Sequence, residues 1–297
     1  MKINEIACVG AGIVGHSWAT LFAMKGYPVY IQDIQEENVE RALRWIKAAL
    51  GLCTEKGLLE ERDAEAAFKR VRPTTDMAEA VSGVDYVAES VFESYDVKRK
   101  VFREMDVAAP EEAILASSSS GLLMTEIQKV TKRPGRCIVA HPFNPPHLIP
   151  LVELVPGEAT SESTVKRTFQ FMKSLGKVPI VVKKEVSWYL ANRMQLGVFQ
   201  EADDIVNSGV ASVEDVDRAL STGPGIRWAI YGPYLVRYFN TPSHLWQRRT
   251  RPEMVEQGYE EYSLLKGKSF DDMVRWRDSK LIDILRVLGH LPGKAKE

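Results

Sequence analysis

A histidine and a glutamate, each next to or within an apolar run, are the residues best suited to move a proton. His141 directly follows a strand-like run at residues 137–140, and Glu153 lies inside a second run at 151–155. A carboxylate among Val and Leu costs free energy unless it has a partner, and the intervening turn can bring it back to His141. Because imidazole titrates near neutral pH, the pair predicts a general base for a hydroxyl proton, oriented by Glu153.

Each of these residues also has a purely structural interpretation. His141 would then bond the backbone of the proline-rich turn that follows it, and Glu153 would face outward from a half-exposed strand. Four serines at 117–120, followed by Gly121, come after another strand-like run at 114–116. Their hydroxyls could contact a substrate oxygen, or they could simply cap the next helix.

A glycine-rich segment, GAGIVG, opens the chain's first predicted helix directly after the strand-like run at 6–9. Gly10 permits a tight turn, Gly12 lets backbone approach a pyrophosphate, and Gly15 lets helix pack on strand. The first N–H groups of the helix, at Ile13 and Val14, would face the phosphates. Asp33 follows the next strand-like run, at 29–31, and lies 18 residues beyond Gly15. A carboxylate there accepts both ribose hydroxyls and repels a 2′-phosphate. The pattern predicts an NAD site; the alternative is a structural glycine turn with a surface aspartate.

The elements that must position these residues alternate along the first half of the chain. Strand-like runs lie at 6–9, 29–31, 86–88, 114–116, 137–140, 151–155 and 178–182. Helical patterns separate them, including a long stretch at 35–70 with interruptions near Gly51 and Gly57. This predicts an α/β fold: a Rossmann-type, doubly wound, mostly parallel sheet in residues 1–184, followed by an all-helical domain in 185–297.

Composition narrows the class of protein. The 297 residues carry a net charge of −1, which gives no reason to expect a nucleic-acid or membrane partner. The basic cluster at 248–251 has acidic residues close behind it and is interpreted as a solvated face. Three dispersed cysteines and no Cys/His spacing indicate reduced thiols, no metal site and a cytoplasmic location.

At these motifs the sequence resembles the 3-hydroxyacyl-CoA dehydrogenase superfamily, in the branch with lambda-crystallin, L-gulonate 3-dehydrogenase and carnitine dehydrogenase. The resemblance is carried by GAGIVG, ESVFES with Lys98, the serine loop, AHPFNPPHLIPLVELVPG and ANRMQ. It implies that His141 is the base with Glu153 as its partner, and that Ser120 and Asn192 contact the reacting oxygen. It further implies that Glu93 and Lys98 lie near the nicotinamide ribose, and that the helical domain forms a homodimer.

The sequence departs from the family in the segment before Asn192. The family often has Pro-Gly-Phe there, whereas this chain reads Val186-Ser187-Trp188, which adds bulk near the domain junction. Asparagine is also frequent where this chain has Ser94 and Ser118. Arg227, in a glycine-rich segment, is our candidate for binding a substrate carboxylate, or else it forms a surface or interface salt bridge.

The resemblance implies an NAD-dependent dehydrogenase that oxidises the 3-hydroxyl of a small, non-CoA hydroxy acid to a 3-keto acid. One alternative is a 3-hydroxyacyl-CoA dehydrogenase, with Lys47, Lys56 and Lys69 near a CoA tail. An alternative of another class is an NAD-binding, crystallin-like protein without turnover.

Overall fold

An eight-stranded sheet organises the first part of the chain in the computed structural model, which describes residues 3–240, 258 and 261–291. The basic cluster at 248–251 lies outside these residues. The strands are β1 Ile6–Val9, β2 Val29–Gln32, β3 Val71–Thr74, β4 Tyr86–Glu89, β5 Ile114–Ser117, β6 Cys137–Pro142, β7 Leu151–Val155 and β8 Val178–Val181.

The strand order is β3-β2-β1-β4-β5-β6-β7-β8, and every neighbouring pair is parallel except β6 and β7. The order reverses between β1 and β4, so the crevice at their carboxyl ends is where a doubly wound sheet binds its ligand. The predicted Rossmann-type, mostly parallel sheet is confirmed.

Helices connect the strands and make up the described part of the chain after β8. They are α1 Ile13–Met24, α2 Glu36–Glu55, α3 Glu61–Lys69, α4 Met77–Val81, α5 Tyr95–Ala108, α6 Met124–Gln128, α7 Glu162–Ser174, α8 Ala191–Asn207, α9 Val213–Thr222, α10 Pro224–Trp228, α11 Pro233–Asn240 and α12 Phe270–Val287. A short 3-10 helix, Pro134–Arg136, precedes β6.

The central strands bury both faces of the sheet. In β1, Ile6 and Cys8 belong to one hydrophobic cluster, with Trp18 of α1, and Ala7 and Val9 belong to a second cluster, on the α5 side. Side chains alternate between the faces of a strand, so a continuously apolar strand fits a sheet covered by helices on both sides.

Strand β3 is absent from the sequence-based prediction. Its residues read VRPT, and the two in the middle, Arg72 and Pro73, are exposed. It is the outermost strand beside β2, and an edge position tolerates a proline that cannot donate to a ladder. An edge strand with one buried residue carries too little hydrophobic pattern to be recognised.

The long helical stretch breaks once rather than twice. Gly57 has a φ of +71° just after α2 and ends that helix, as predicted. Gly51 lies inside α2, where the predicted interruption is wrong, because an exposed helix position tolerates a glycine at a modest cost.

The chain divides into two compact units, residues 1–196 and 197–297, so the division falls within α8. The predicted boundary at 184 lies shortly before that helix. In the second unit, the described helices α10, α11 and α12 bury a small apolar set of Ile226, Tyr231, Leu235 and Met273. Among the described residues, none of the helices has the length and apolarity needed to span a bilayer.

We expect Gly15→Ala to lower the free energy of unfolding by about 1–3 kcal/mol, the usual cost of overpacking. A β-carbon at Gly15 would stand 1.8 Å from the carbonyl oxygen of Gly10, and backbone cannot give way easily there. The matched control is Gly51→Ala, where no atom lies within 4 Å of the added carbon. That change should stabilise by about 0.4–1 kcal/mol. Urea unfolding measures both, and equal effects would contradict the packing argument.

Candidate active site

The glycine-rich loop has the geometry of a phosphate cradle. Gly10 has a φ of +95°, and a β-carbon there would lie 2.6 Å from the carbonyl oxygen of Ser90, so the loop packs directly on the end of β4. Gly12 precedes α1 with open space around its α-carbon and no side-chain cap on the helix. The first N–H groups of α1, at Ile13 and Val14, therefore have no intrahelical partner and suit a pyrophosphate.

Asp33 follows β2 and braces this loop. Its Oδ2 accepts the backbone N–H of Ala11 at 3.0 Å, while Oδ1 accepts Asn38 Nδ2 at 2.9 Å. A carboxylate oxygen has capacity for further bonds, so a ribose hydroxyl can be added without displacing Ala11. The negative charge also disfavours a 2′-phosphate at this position. These residues fit NAD, whose nicotinamide ring supplies a hydride acceptor when bound.

His141 and Glu153 meet as the pattern predicts. They are opposite each other in the antiparallel register of β6 and β7, and His141 Nδ1 lies 2.9 Å from Glu153 Oε2. The carboxylate is acceptor-only, so Nδ1 carries a proton, and in the neutral ring Nε2 is then the acceptor. The imidazole ring also lies 5.3 Å from the ring of Phe143 and 5.4 Å from that of Tyr189, centroid to centroid.

The second oxygen of Glu153 has an equally specific use. Oε1 accepts the backbone N–H groups of Leu190 and Ala191, at 2.9 Å and 3.0 Å, where α8 begins. A carboxylate at a helix N-terminus is favoured by the unpaired N–H donors and the helix dipole. A residue chosen from the sequence as a partner for His141 is therefore also the cap of the helix that carries Asn192.

Glu153 stays ionised despite complete burial. Burial alone raises the pKa of this carboxyl, but the hydrogen bonds from His141, Ala191 and Leu190 outweigh it and hold the pKa below its ordinary value. A lowered pKa means that folding favours the charged form, so the charge contributes to stability above the ordinary pKa and not in strong acid.

Ser120 and Asn192 are brought together by the backbone of the serine loop. Asn192 Nδ2 donates to the carbonyl oxygen of Ser120 at 3.0 Å. Glu93 holds the same loop: its Oε1 accepts Ser119 Oγ at 2.6 Å and the Ser120 N–H at 2.9 Å. Burial raises the pKa of Glu93, but these bonds and Lys98 outweigh it and lower the pKa. The Ser120 hydroxyl lies 3.4 Å from the same carboxylate, half-buried at the loop.

Lys98 is buried beneath this loop rather than open to a ligand. Its Nζ donates to Glu89 Oε1 at 2.7 Å, lies 3.3 Å from Glu93 Oε2, and donates to the Val91 carbonyl oxygen at 3.3 Å. Three oxygens account for the three donors of an ammonium group, and the side chain is 1% exposed. Lys98 therefore contacts the serine loop only indirectly, through its ion pair with Glu93.

Glu89 is a site residue that the sequence-based prediction missed. It ends β4, is fully buried, and accepts Ser117 Oγ at 2.6 Å with the oxygen that does not bind Lys98. The reasoning that selected Glu153, a carboxylate within an apolar run, applies equally to Glu89. Lys98 lies a helical turn into α5, so the pairing itself is not visible from sequence spacing.

The loop after His141 is anchored from two sides by residues that were also missed. His147 Nδ1 lies 2.7 Å from Ser17 Oγ of α1, which ties the loop to the nucleotide helix. Lys177 donates to the carbonyl oxygens of Pro146 and, at 2.5 Å, Ile149. Burial lowers the pKa of Lys177 to about 8.

Trp188 and Tyr189, just before α8, adopt the left-handed backbone region with φ of 63° and 48°. Bulky residues rarely adopt it, and each such residue costs about 1–3 kcal/mol. Tyr189 is buried and donates its hydroxyl to the carbonyl oxygen of Leu122 at 2.6 Å, which ties this segment to the serine loop. Glycine would adopt this backbone region without strain.

The remaining predicted ligand residues lie on α2, α3 and α10 or just beyond α2. Arg227 is half-buried on α10 of the second unit. The three lysines considered for a CoA tail are exposed along α2 and α3 or just beyond α2: Lys47, Lys56 and Lys69.

We expect Glu153→Gln to lower the free energy of unfolding at pH 7 by about 1.5–3 kcal/mol, the range for hydrogen bonds to charged groups. Since folding lowers the pKa of this carboxyl, its contribution is present above the ordinary value of 4.5 and is lost as pH falls through the lower native pKa. Wild type and variant should therefore converge in acid. Urea unfolding from pH 7 down to about pH 2, through the lowered native pKa, tests this, with exposed Glu158→Gln as control. A pH-independent difference would contradict it.

Comparisons with known proteins show the family of the chain. Residues 5–186 match the NAD-binding domain of 3-hydroxyacyl-CoA dehydrogenases, and residues 189–280 match the C-terminal domain. An L-carnitine dehydrogenase of Streptomyces griseus is 36% identical over 99% of this chain and 93% of its own. Lambda-crystallin of Oryctolagus cuniculus is 38% identical over 82% of this chain and 76% of its own.

A solved structure gives the same result. The (S)-3-hydroxybutyryl-CoA dehydrogenase of Ralstonia eutropha superposes with a TM-score of 0.71 at 32% identity, over 75% of this chain and 78% of that one. The predictions of NAD as cofactor and of a dehydrogenase are confirmed. The chain belongs to the 3-hydroxyacyl-CoA dehydrogenase family.

Proposed function

We propose that this dehydrogenase oxidises the 3-hydroxyl group of a small free hydroxy acid to a ketone, with His141 as general base. The observation that carries the proposal is the His141–Glu153 hydrogen bond of 2.9 Å, made by a carboxylate that also caps the helix of Asn192. It leaves Nε2 as the acceptor of a proton and ties the base to the residues that would hold the substrate oxygen.

In the proposed reaction His141 Nε2 takes the hydroxyl proton, and NAD, held by the glycine-rich loop and Asp33, would supply the acceptor for the carbinol hydride. Glu153 stabilises the imidazolium that forms, because its charge lies against the protonated ring. Ser120 and Asn192 position the substrate oxygen, and Glu93 keeps the Ser120 loop in place. Glu89 and Lys98 support Glu93 from below, and we assign them to positioning rather than to contact with the substrate.

The substrate class is proposed from the relatives that match nearly the whole chain. They are L-carnitine dehydrogenases, whose substrate carries its hydroxyl beside a free carboxylate, and they cover 96–99% of this chain. Arg227 is the proposed partner of the substrate carboxylate, which a guanidinium binds in a bidentate manner. Gulonate, carnitine and 3-hydroxybutyrate are all members of this class.

Two other functions remain candidates on specific observations. A 3-hydroxyacyl-CoA dehydrogenase is supported by the family itself and by the exposed lysines on α2 and α3, which suit phosphate groups. An NAD-binding protein without turnover is supported by the match to a lambda-crystallin. Comparing turnover of free acids and CoA thioesters separates the three functions. The first predicts turnover of free acids, the second turnover of thioesters, and the third turnover of neither.

We also propose that the protein is a cytoplasmic homodimer assembled through its helical part. The described helix α8 has no buried residue, and Met194, Leu196 and Phe199 are 58%, 46% and 53% exposed. Side chains of this kind favour an apolar interface. The three cysteines are unpaired and buried, which fits a reducing compartment. Sedimentation at several concentrations measures the oligomeric state.

We expect His141→Asn to reduce kcat by about 10²–10⁴-fold for every accepted hydroxy acid, since the general base is lost. NADH binding, followed by fluorescence, should remain. Turnover is measured by NADH absorbance on a panel of 3-hydroxy acids and their CoA thioesters. His290→Asn, at an exposed position, is the matched control and should leave kcat unchanged. A variant at position 141 with normal turnover would remove the mechanism.

We expect Arg227→Met to raise KM for carboxylate substrates by about 10-fold or more, because a charge-assisted hydrogen bond is lost. The value of kcat should change much less. Arg218→Met, on α9 with its side chain 64% exposed, is the control. An unchanged KM at position 227 would favour the salt-bridge interpretation instead.

A further inference from the structure

Trp188 combines two features that rarely occur together. Its backbone is left-handed, a conformation that glycine adopts freely, yet it carries the largest side chain, and that side chain is 50% exposed. A strained residue persists where its surroundings or its function require it, and the exposed half of this indole contributes no burial to offset the cost. The side chain of Trp188 therefore calls for a functional explanation.

The indole lies directly against the serine loop. A β-carbon at Gly121 would stand 3.1 Å from two atoms of the Trp188 ring, so the glycine is what allows the ring this close to the loop backbone. The residue before Gly121 is Ser120, whose carbonyl oxygen binds Asn192. The other half of the ring surface stays open to solvent.

The neighbours of Trp188 reach the proposed base as well. The ring of Tyr189, the next residue, lies 5.4 Å from the ring of His141, centroid to centroid. The backbone N–H of Leu190, two residues after Trp188, binds Glu153. The indole thus stands in a short segment whose contacts are the serine loop on one side and the His141–Glu153 pair on the other.

We propose that Trp188 is a specificity-determining residue whose indole forms an apolar wall beside the reacting carbinol and restricts the enzyme to short free acids. This inference rests on the proposed function and adds its upper size limit. The rigid ring blocks longer carbon chains and the acyl-thioester arm of CoA. Tyr189, which is buried against the serine loop, keeps the segment from moving aside.

The test compares two variants at one position. Trp188→Ala removes the ring and keeps a left-handed non-glycine residue, whereas Trp188→Gly removes the ring and the backbone strain together. For each, kcat/KM is measured with NAD and the free 3-hydroxy acids from four to eight carbons, and with 3-hydroxybutyryl-CoA. Both variants should raise the ratio of eight-carbon to four-carbon kcat/KM by at least about 10-fold, the discrimination expected of one or more excluded methylenes.

A stability measurement separates the wall from the strain. Trp188→Gly should be more thermally stable than Trp188→Ala, because only the glycine variant relieves the backbone strain. The shift in chain-length preference should appear in both variants. Trp188→Phe, which keeps an aromatic wall, should retain most of the wild-type preference for short acids. Ratios within twofold of wild type in both the Ala and the Gly variants overturn the proposal.

The outcome is distinguishable from failure of the proposed function itself. If wild type oxidises no free acid, calorimetric titration of the enzyme–NADH complex with the same acids measures the chain-length preference without turnover. If wild type binds short acids more tightly and both variants lose this preference, the result supports the proposed role of the Trp188 indole even without turnover. Equal affinities across the series in wild type and variants overturn it.

Discussion

The carboxylate of Glu153 is shared between two parts of the molecule that must stay in register. One oxygen binds the imidazole of His141 across the antiparallel β6–β7 pair, and the other binds the first N–H groups of α8. Complete burial makes the charge costly unless both oxygens are used, so each contact depends on the other. The orientation of the proposed base and the position of Asn192 thus follow from a single side chain.

A second buried carboxylate, that of Glu89, supports the serine loop from below. Glu89 and Lys98 are 0% and 1% exposed and neutralise each other, and the remaining attraction of Lys98 is directed to Glu93. Glu93 in turn accepts the hydroxyl and backbone donors of the loop. Removing one partner of such a pair leaves an uncompensated buried charge. The resulting loss of stability is much larger than the stability that an exposed ion pair contributes.

Sequence was sufficient for features with a local signature. The glycine loop, the central apolar strands and the His141–Glu153 pair each follow from residue types at fixed spacing. Strand β3 was missed because an edge strand with a proline has little hydrophobic pattern. The burial of Lys98 could not be predicted because it depends on α5 packing over β4, so the sequence indicated a ligand contact instead. The left-handed backbone at Trp188 could not be predicted, since tertiary contacts of Tyr189 and Glu153 impose it against local preference.

The hydrogen bond between Ser17 and His147 joins groups 130 residues apart in the chain. Loop-closure entropy opposes such a contact until the intervening strands have paired, although its growth with length is only logarithmic. The segment after His141 is therefore held in its final place only once β1 and β6 lie in the same sheet. One side-chain contact thus keeps the loop beside the proposed base aligned with the nucleotide helix.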